Sequence, residues 1–168
     1  DAAFVPHLWL TLQRMLIGFL LAFGAGSVLG ILAFILHLTE HLNSFMVALQ
    51  VIPGAILGII LLLVLGVGDW TSIALVALLT LPTVAINIAS ALAKRDLSLE
   101  QYLLSAGAGR QRLVRHLYLP ALVPTIQSNL SLGFGLGMKV VVLGEFIGSQ
   151  DGLGYLLNVA AIRFDMQS

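Results

Sequence analysis

Four stretches of the chain, residues 16–36, 45–66, 70–92 and 119–143, each run for about twenty residues or more with no charged side chain except Lys139 in the last. A bilayer core about 30 Å thick takes roughly 20 apolar residues as a helix. In lipid, such a segment must satisfy every backbone polar group internally, which a helix does. Each stretch is therefore predicted to span a membrane. Period-two alternation is absent, which argues against a membrane β-barrel. The remainder of the chain cannot make it a water-soluble globule. Charged residues are 10% and hydrophobic ones 59%, where a soluble domain carries about a quarter charged. The expected fold is all-α: one polytopic transmembrane helix bundle over residues 1–168, with about four spans present.

The connections set the orientation. Residues 37–44 and 66–69 are short turns. The segment 94–116 is longer and carries Lys94, Arg95, Arg110, Arg112 and Arg115, five of the eight Lys and Arg in the chain. Excess Lys and Arg mark a cytoplasmic loop. The 66–69 turn is then outside, the 37–44 turn inside, and both chain ends outside. Trp9 and Trp70 fall at the outer interface and Tyr118 at the inner one, where amphipathic rings sit. The tail from Gly148 is too short to cross again. The chain is expected to lack a last span, and a further span before the first is left open. Arg163 and Asp165 read as a solvated outer face.

Glycines four apart, Gly26 and Gly30, Gly54 and Gly58, Gly133 and Gly137, are expected to let helices pack closely within one bundle. Pro53, Pro82 and Pro124 remove amide donors inside or near spans and predict kinks. Gln50, Asn87, Gln127 and Asn129 are uncharged polar residues within spans. Hydrogen bonding between helices is their first expected role and lining a translocation path the second. Lys139 lies about 28 Å of helix beyond Pro120, at ~1.5 Å per residue, and Glu145 about 37 Å beyond it. Lys139 is thus expected near the outer edge of the hydrocarbon, snorkelling or attracting an anionic cargo, with Glu145 just beyond, on a different helical face, and both are candidate residues of the translocation path. Gly152, Gly154 and Tyr155 are expected to turn the chain back toward the membrane as an outer gate loop.

Several functions are excluded or weakened. Zero net charge leaves no basic footprint for nucleic acid. With no cysteine, a thiolate nucleophile, a thiolate metal site and a disulfide are all excluded. No phosphate-binding Gly-x-x-x-x-Gly-Lys-Ser/Thr run occurs, so any ATP hydrolysis must come from a partner. His37-Leu38-Thr39-Glu40-His41 has the His-x-x-Glu-His spacing of inverted zinc proteases. It falls on a turn without an evident third ligand, so an interfacial polar turn is the expected reading and no metal is assigned.

The loop is the most informative segment. Asp96 or Ser98 can cap a helix whose apolar positions are Leu99, Leu103 and Leu104, with Glu100 in its first turn. Ser105-Ala106-Gly107-Ala108-Gly109 breaks it. A second helical stretch carries Arg110, Arg112 and Arg115, and Pro120 opens the fourth span as a first-turn proline. A small-residue elbow at a membrane surface suits close approach to another protein.

This pattern resembles the permease subunits of bacterial binding-protein-dependent ABC importers. Their loop reads Glu-Ala-Ala, three residues, Gly, nine residues, Ile, one residue, Leu-Pro. Here Gly107 is followed after nine residues by Leu117, Tyr118, Leu119 and Pro120. Gln101, Tyr102 and Leu103 stand where Glu-Ala-Ala would be, and Glu100 lies one position early. The segments LWLTLQRMLIGFLLAFGAGSVLGI and VVVLGEFIGSQDGLGYLL are similar to the permeases for nitrate, taurine and sulfonates. The resemblance implies an inner-membrane subunit that moves a small solute inward. It implies a coupling loop over 94–117 that docks on a cytoplasmic ATPase dimer, through Gln101, Ala106, Gly107, Ala108, Arg110, Arg112, Leu117, Leu119 and Pro120. It further implies ATP-Mg in that partner, a second permease subunit in a homodimer, an external periplasmic or lipid-anchored solute-binding protein, and surrounding lipid. Two other readings stay open from the residues alone: an ATPase-independent channel or secondary carrier, which would need more intramembrane charge than Lys139, and a metalloprotease built on His37 and His41.

Overall fold

The computed structural model describes residues 4–165, all helix and turn with no strand among them. The side chain of Asp165, read above as a surface group, lies outside the described residues. The helices are α1 (Phe4–Ile35), α2 (Thr39–Gln50), α3 (Gly54–Leu65), α4 (Asp69–Ala93), α5 (Leu97–Ser105), α6 (Arg110–Leu113), α7 (Leu119–Gly148) and α8 (Leu153–Asp165), with a π turn at Val114–Tyr118 joining α6 to α7. Among the described residues, three helical segments are long and apolar enough to cross a membrane, α1, α4 and the run Arg110–Gly148, and the bent pair α2 and α3 would together make a fourth.

α1 and α4 lie parallel, and small side chains on α1 set their distance. A Cβ on Gly26 would fall 2.9 Å from the Leu81 carbonyl oxygen, and one on Gly30 2.8 Å from that of Ala85. Backbones that close need glycine at the contact, the device that replaces hydrophobic driving force in lipid. The same stripe continues to Gly18, which meets Ile73 and Val76. α7 runs antiparallel to both, with Gly133 against Phe19 and Gly137 against Met15. Gly54 meets Leu79, and Gly58 meets Ile147. All six glycines paired by spacing in the sequence thus pack inside one bundle. The core is Met15, Phe19, Val76 and Val141 in one layer, and Val84, Ile88 and Leu92 in another toward the loop end. Leucines and isoleucines such as Leu20, Leu21, Ile59 and Leu63 cover the exterior, where lipid is as apolar as they are.

Three boundaries differ from expectation. The expected 37–44 turn is mostly helix, because α2 begins at Thr39. The second apolar stretch is not one straight span: α2 and α3 meet at 83°. Pro53, with φ −59 and ψ 130, stands just before α3. Proline disfavours the helical conformation in the residue ahead of it and cannot donate to the preceding turn, so the helix stops near Gln50 and restarts. α3 has 12 residues, about 18 Å at ~1.5 Å each, which is shorter than the hydrocarbon. The fourth span also does not begin at Pro120. Helix runs from Arg110 through the π turn into α7. The wider π turn lies directly ahead of Pro120 and Pro124, whose missing amides would otherwise interrupt the ladder.

The helix directions gather Lys94, Arg95 and the arginines of α6 at one end of the bundle and Asp69, Glu145 and Asp151 at the other. A reporter enzyme fused within 94–116 is expected to be cytoplasmic and one at Gly68 external. Both reporters on one side would defeat this arrangement.

Candidate functional site

At the basic end, the Asp96 carboxylate caps α5, accepting from the amides of Ser98 at 2.9 Å and Leu99 at 3.1 Å. α5 closes with a reciprocal turn: the Gly107 amide donates to Leu104 at 3.0 Å and the Ala108 amide to Leu103 at 2.9 Å. This closure puts Gly107 at φ +73, a left-handed position that favours glycine. α5 has no buried residue. Gln101, Ala106, Gly107, Arg110, Arg112, Leu119 and Pro120 are exposed, and Ala108 is half-buried. Leu117 departs from the expected docking set: it is buried against the bundle, 3% exposed, because the π turn rotates it inward.

Glu100, expected only as a first-turn acid, makes tertiary contacts. Its Oε2 pairs with Arg95 Nη2 at 2.8 Å, and its Oε1 accepts from the Tyr118 hydroxyl at 3.2 Å. The Arg95 guanidinium lies 4.8 Å from the centre of the Phe34 ring.

Within the bundle, Asn87 Nδ2 donates to Asn129 Oδ1 at 2.6 Å, tying α4 to α7. Gln50 Nε2 approaches Thr83 Oγ1 at 3.4 Å. Gln127 and Lys139 are exposed on α7. Beside the asparagine pair, an open cavity of about 390 Å³ is lined by Asn87, Ser90, Lys94, Thr125 and Ser128 among others. Ala91, Pro124 and Leu132 complete the lining, and polar groups within an apolar span are tolerated only against protein or a water-filled space. His37 occupies a left-handed turn at φ +58 while His41 sits in α2, so the two do not share a helical face. Among the described residues no group of three His, Cys, Asp or Glu could hold a metal ion.

The outer end overturns the placement of Glu145. Expected just beyond the hydrocarbon edge as a candidate lining residue of the path, it is instead fully buried within the chain, at 0% exposure. Its Oε1 pairs with Arg14 Nη1 at 2.9 Å. The Thr11 hydroxyl lies 2.9 and 2.8 Å from its two oxygens, and the Gly154 amide donates to Oε2 at 3.0 Å. Arg14, 3% exposed, also pairs with Asp69 and Asp151 and donates to the Asp151 carbonyl at 3.1 Å. One guanidinium thus joins α1, the start of α4, the end of α7 and the turn before α8.

Gly152, at φ +98, leaves no room for a side chain beside the Glu145 carboxylate, and its amide donates to His7 Nδ1 at 2.9 Å. Gly154 packs on the α7 backbone at Val142 and Phe146. The Tyr155 ring stacks near His7, centroids 6.4 Å apart. The chain does turn back here, and α8 lies along α7, held also by Asn158 Nδ2 on the Phe146 carbonyl at 2.9 Å. Sequence reasoning missed Arg14, Thr11 and His7. The available signal was an arginine two residues before an uncharged span, at the same predicted depth as three carboxylates.

Comparison with known proteins adds the following. The family model described as binding-protein-dependent transport system inner membrane component matches residues 22–168. The chain is 28% identical over 166 residues to the formylaminopyrimidine transport permease protein ThiX of Halalkalibacterium halodurans, covering 98% of this chain and 66% of that protein. It is 31% identical over 133 residues to the riboflavin transport system permease protein RibX of Chloroflexus aurantiacus, covering 79% and 50%. To the putative aliphatic sulfonates transport permease protein SsuC of Bacillus subtilis it is 28% identical over 152 residues, covering 90% and 55%. The chain therefore spans half to two thirds of the length of these curated relatives.

Proposed function

This chain belongs to the family of binding-protein-dependent transport system inner membrane components, and on that premise we propose that it forms the path of an importer carrying a small solute inward across the inner membrane. ATP-Mg would be hydrolysed by a separate cytoplasmic ATPase dimer. A second copy of the permease would complete the path, and a periplasmic or lipid-anchored binding protein would deliver cargo.

The observation that carries this reading is the elbow at the basic end: an exposed capped helix, a left-handed Gly107, and Arg110 and Arg112 beyond it. A helix with no fully buried residue leaves most of its surface open to a partner. In this reading Gln101, Ala106, Gly107, Ala108, Arg110, Arg112, Leu119 and Pro120 form the docking face, and Leu117 supports it from beneath. The test is purification of the permease from its native membrane, identification of co-eluting proteins, and measurement of vanadate-sensitive ATP hydrolysis. Recovery of no nucleotide-hydrolysing subunit would remove the reading.

The path itself is proposed to run past the polar cavity, with Asn87 and Asn129 bridged behind it and Gln50 and Gln127 on flanking surfaces. Glu145 supports the outer end from within the bundle rather than lining it, and Gly152, Gly154 and Tyr155 form the gate turn that packs on it. A secondary carrier would use exposed intramembrane charge; here Arg14 and Glu145 are engaged with each other, which favours a clamp.

The cargoes in the relatives' names include a formylaminopyrimidine, riboflavin and sulfonates, and we propose a small solute of one of these classes. If it is a sulfonate, exposed Lys139 attracts it at the outer side. Lys139→Gln is then expected to weaken taurine uptake about 2- to 5-fold, the scale of a screened charge. Lys139→Arg is expected to do less harm, and basal ATP hydrolysis is expected to stay level. Unchanged uptake in Lys139→Gln would identify a snorkelling lysine instead.

A further inference from the structure

We infer that Glu100 is a positioning residue that fastens α5 to the membrane bundle, so that α5 and the inner ends of α1, α4 and α7 move as one body. The inference rests on the coupling role proposed above.

α5 is held only weakly by packing: none of its residues is fully buried, and only Glu100 and Leu103 are half-buried. Its two connections are also weak points: a short turn at 94–96 on one side and the left-handed Gly107 on the other. A push on α5 from a docked partner would be absorbed by rotation about these turns unless something bridges them. Glu100 does so with both carboxylate oxygens. One meets Arg95, in the turn just after α4, at 2.8 Å, and the other meets the Tyr118 hydroxyl, at the end of the π turn that leads into α7, at 3.2 Å.

Arg95 extends the bridge. Its Nη1 donates to the Leu92 carbonyl at 3.3 Å, and its guanidinium plane lies 4.8 Å from the Phe34 ring centre at the end of α1. Phe34 and Tyr118 meet edge to face with centroids 5.8 Å apart. The charged side chains are only 18% and 16% exposed, so salt screens their attraction less than that of a surface pair. The aromatic pair closes the lower side, where the guanidinium finds a ring face in place of water. Tyr118 is continuous with α7 through the π turn, so a displacement of Glu100 reaches a span with no flexible joint between.

Residues 1–168 contain no cysteine, so a single introduced thiol, on a background freed of any cysteine elsewhere in the complex, gives a direct test. Ser128→Cys places one thiol on the polar cavity, and its rate of modification by a small maleimide is measured in the permease–ATPase complex, with and without ATP plus vanadate. With Glu100 intact, nucleotide trapping is expected to change that rate about 10-fold, within the usual span of a coupling effect. Glu100→Ala is expected to keep ATPase recovery and hydrolysis within about 2-fold while the nucleotide-dependent change falls below about 2-fold. Glu100→Gln, which can still accept from Tyr118, is expected to fall between. A full response in Glu100→Ala would overturn the anchor. So would loss of ATPase recovery in parallel with the response, which would make Glu100 a contact of the partner. Failure of the parent permease to recover any ATPase would instead strike the coupling reading, and this inference with it.

Discussion

Arg14→Met is expected to destabilise the bundle by about 3–5 kcal/mol, because it strands a fully buried carboxylate without its cation. Glu145 has no exposed surface. Without Arg14 it keeps only the Thr11 hydroxyl and the Gly154 amide, two neutral donors. Asp69 and Asp151 lose the same partner at little cost, since their side chains are 62% and 46% exposed and water replaces the contact. Against a total stability of about 5–15 kcal/mol this is a large fraction. The informative comparison is the double variant. Arg14→Met with Glu145→Met removes both charges and fills the space with apolar atoms. A buried pair returns little net energy once its desolvation is counted, so removing both partners costs far less than removing one. The double variant should therefore recover at least half of what the single one loses, read as the unfolding midpoint in detergent and the yield of folded protein from membranes. A double variant as unstable as Arg14→Met would show that Arg14 acts by shape or by its exposed acids rather than by neutralising Glu145.

The contrast between the two ends of the molecule shows what a sequence carries. The long apolar helices, the gathering of basic residues at one end and the glycine contacts were legible because a bilayer imposes length, apolarity and charge bias locally, one segment at a time. The capped helix and its left-handed stop were legible for the same reason: Asp96, Gly107 and the amides they satisfy lie within a dozen residues. The bend at Pro53 was half legible. Apolarity continues unchanged from 45 to 66, and only the proline marks where direction changes. The Arg14 box was not read, although all its charges were visible, because pairing between residues 14 and 145 is a fact of three-dimensional register. Glu100 was only half legible. Its local role in the first turn of α5 was plain, but its partners Arg95 and Tyr118 become neighbours only once both flanks of the loop return to the bundle.

Gly107→Trp is expected to leave the bundle assembled and to weaken association with the ATPase about 5- to 150-fold, through a penalty of about 1–3 kcal/mol. The penalty has two separable sources. The first is internal: at φ +73 a side chain is strained, while a Cβ there meets nothing within 4 Å in the chain itself. Local packing therefore cannot be the cause, and strain acts on the turn that orients Arg110 and Arg112 relative to α5. The second is external: if the elbow sits in a groove of the ATPase, a bulky ring overfills it. Gly107→Asn separates the two, since asparagine tolerates the left-handed region better than other side chains and remains small. Strain alone predicts that Asn is nearly harmless and that Ala is as costly as Trp. A groove predicts a ranking by volume, with Ala mildest and Trp worst. The readout is ATPase recovered per permease at matched membrane levels, alongside the unfolding midpoint, which should not move by more than a surface substitution does. Full ATPase recovery with the Trp variant would place the coupling contact elsewhere, and α5, with no fully buried residue, would be left without the partner that its exposed surface calls for.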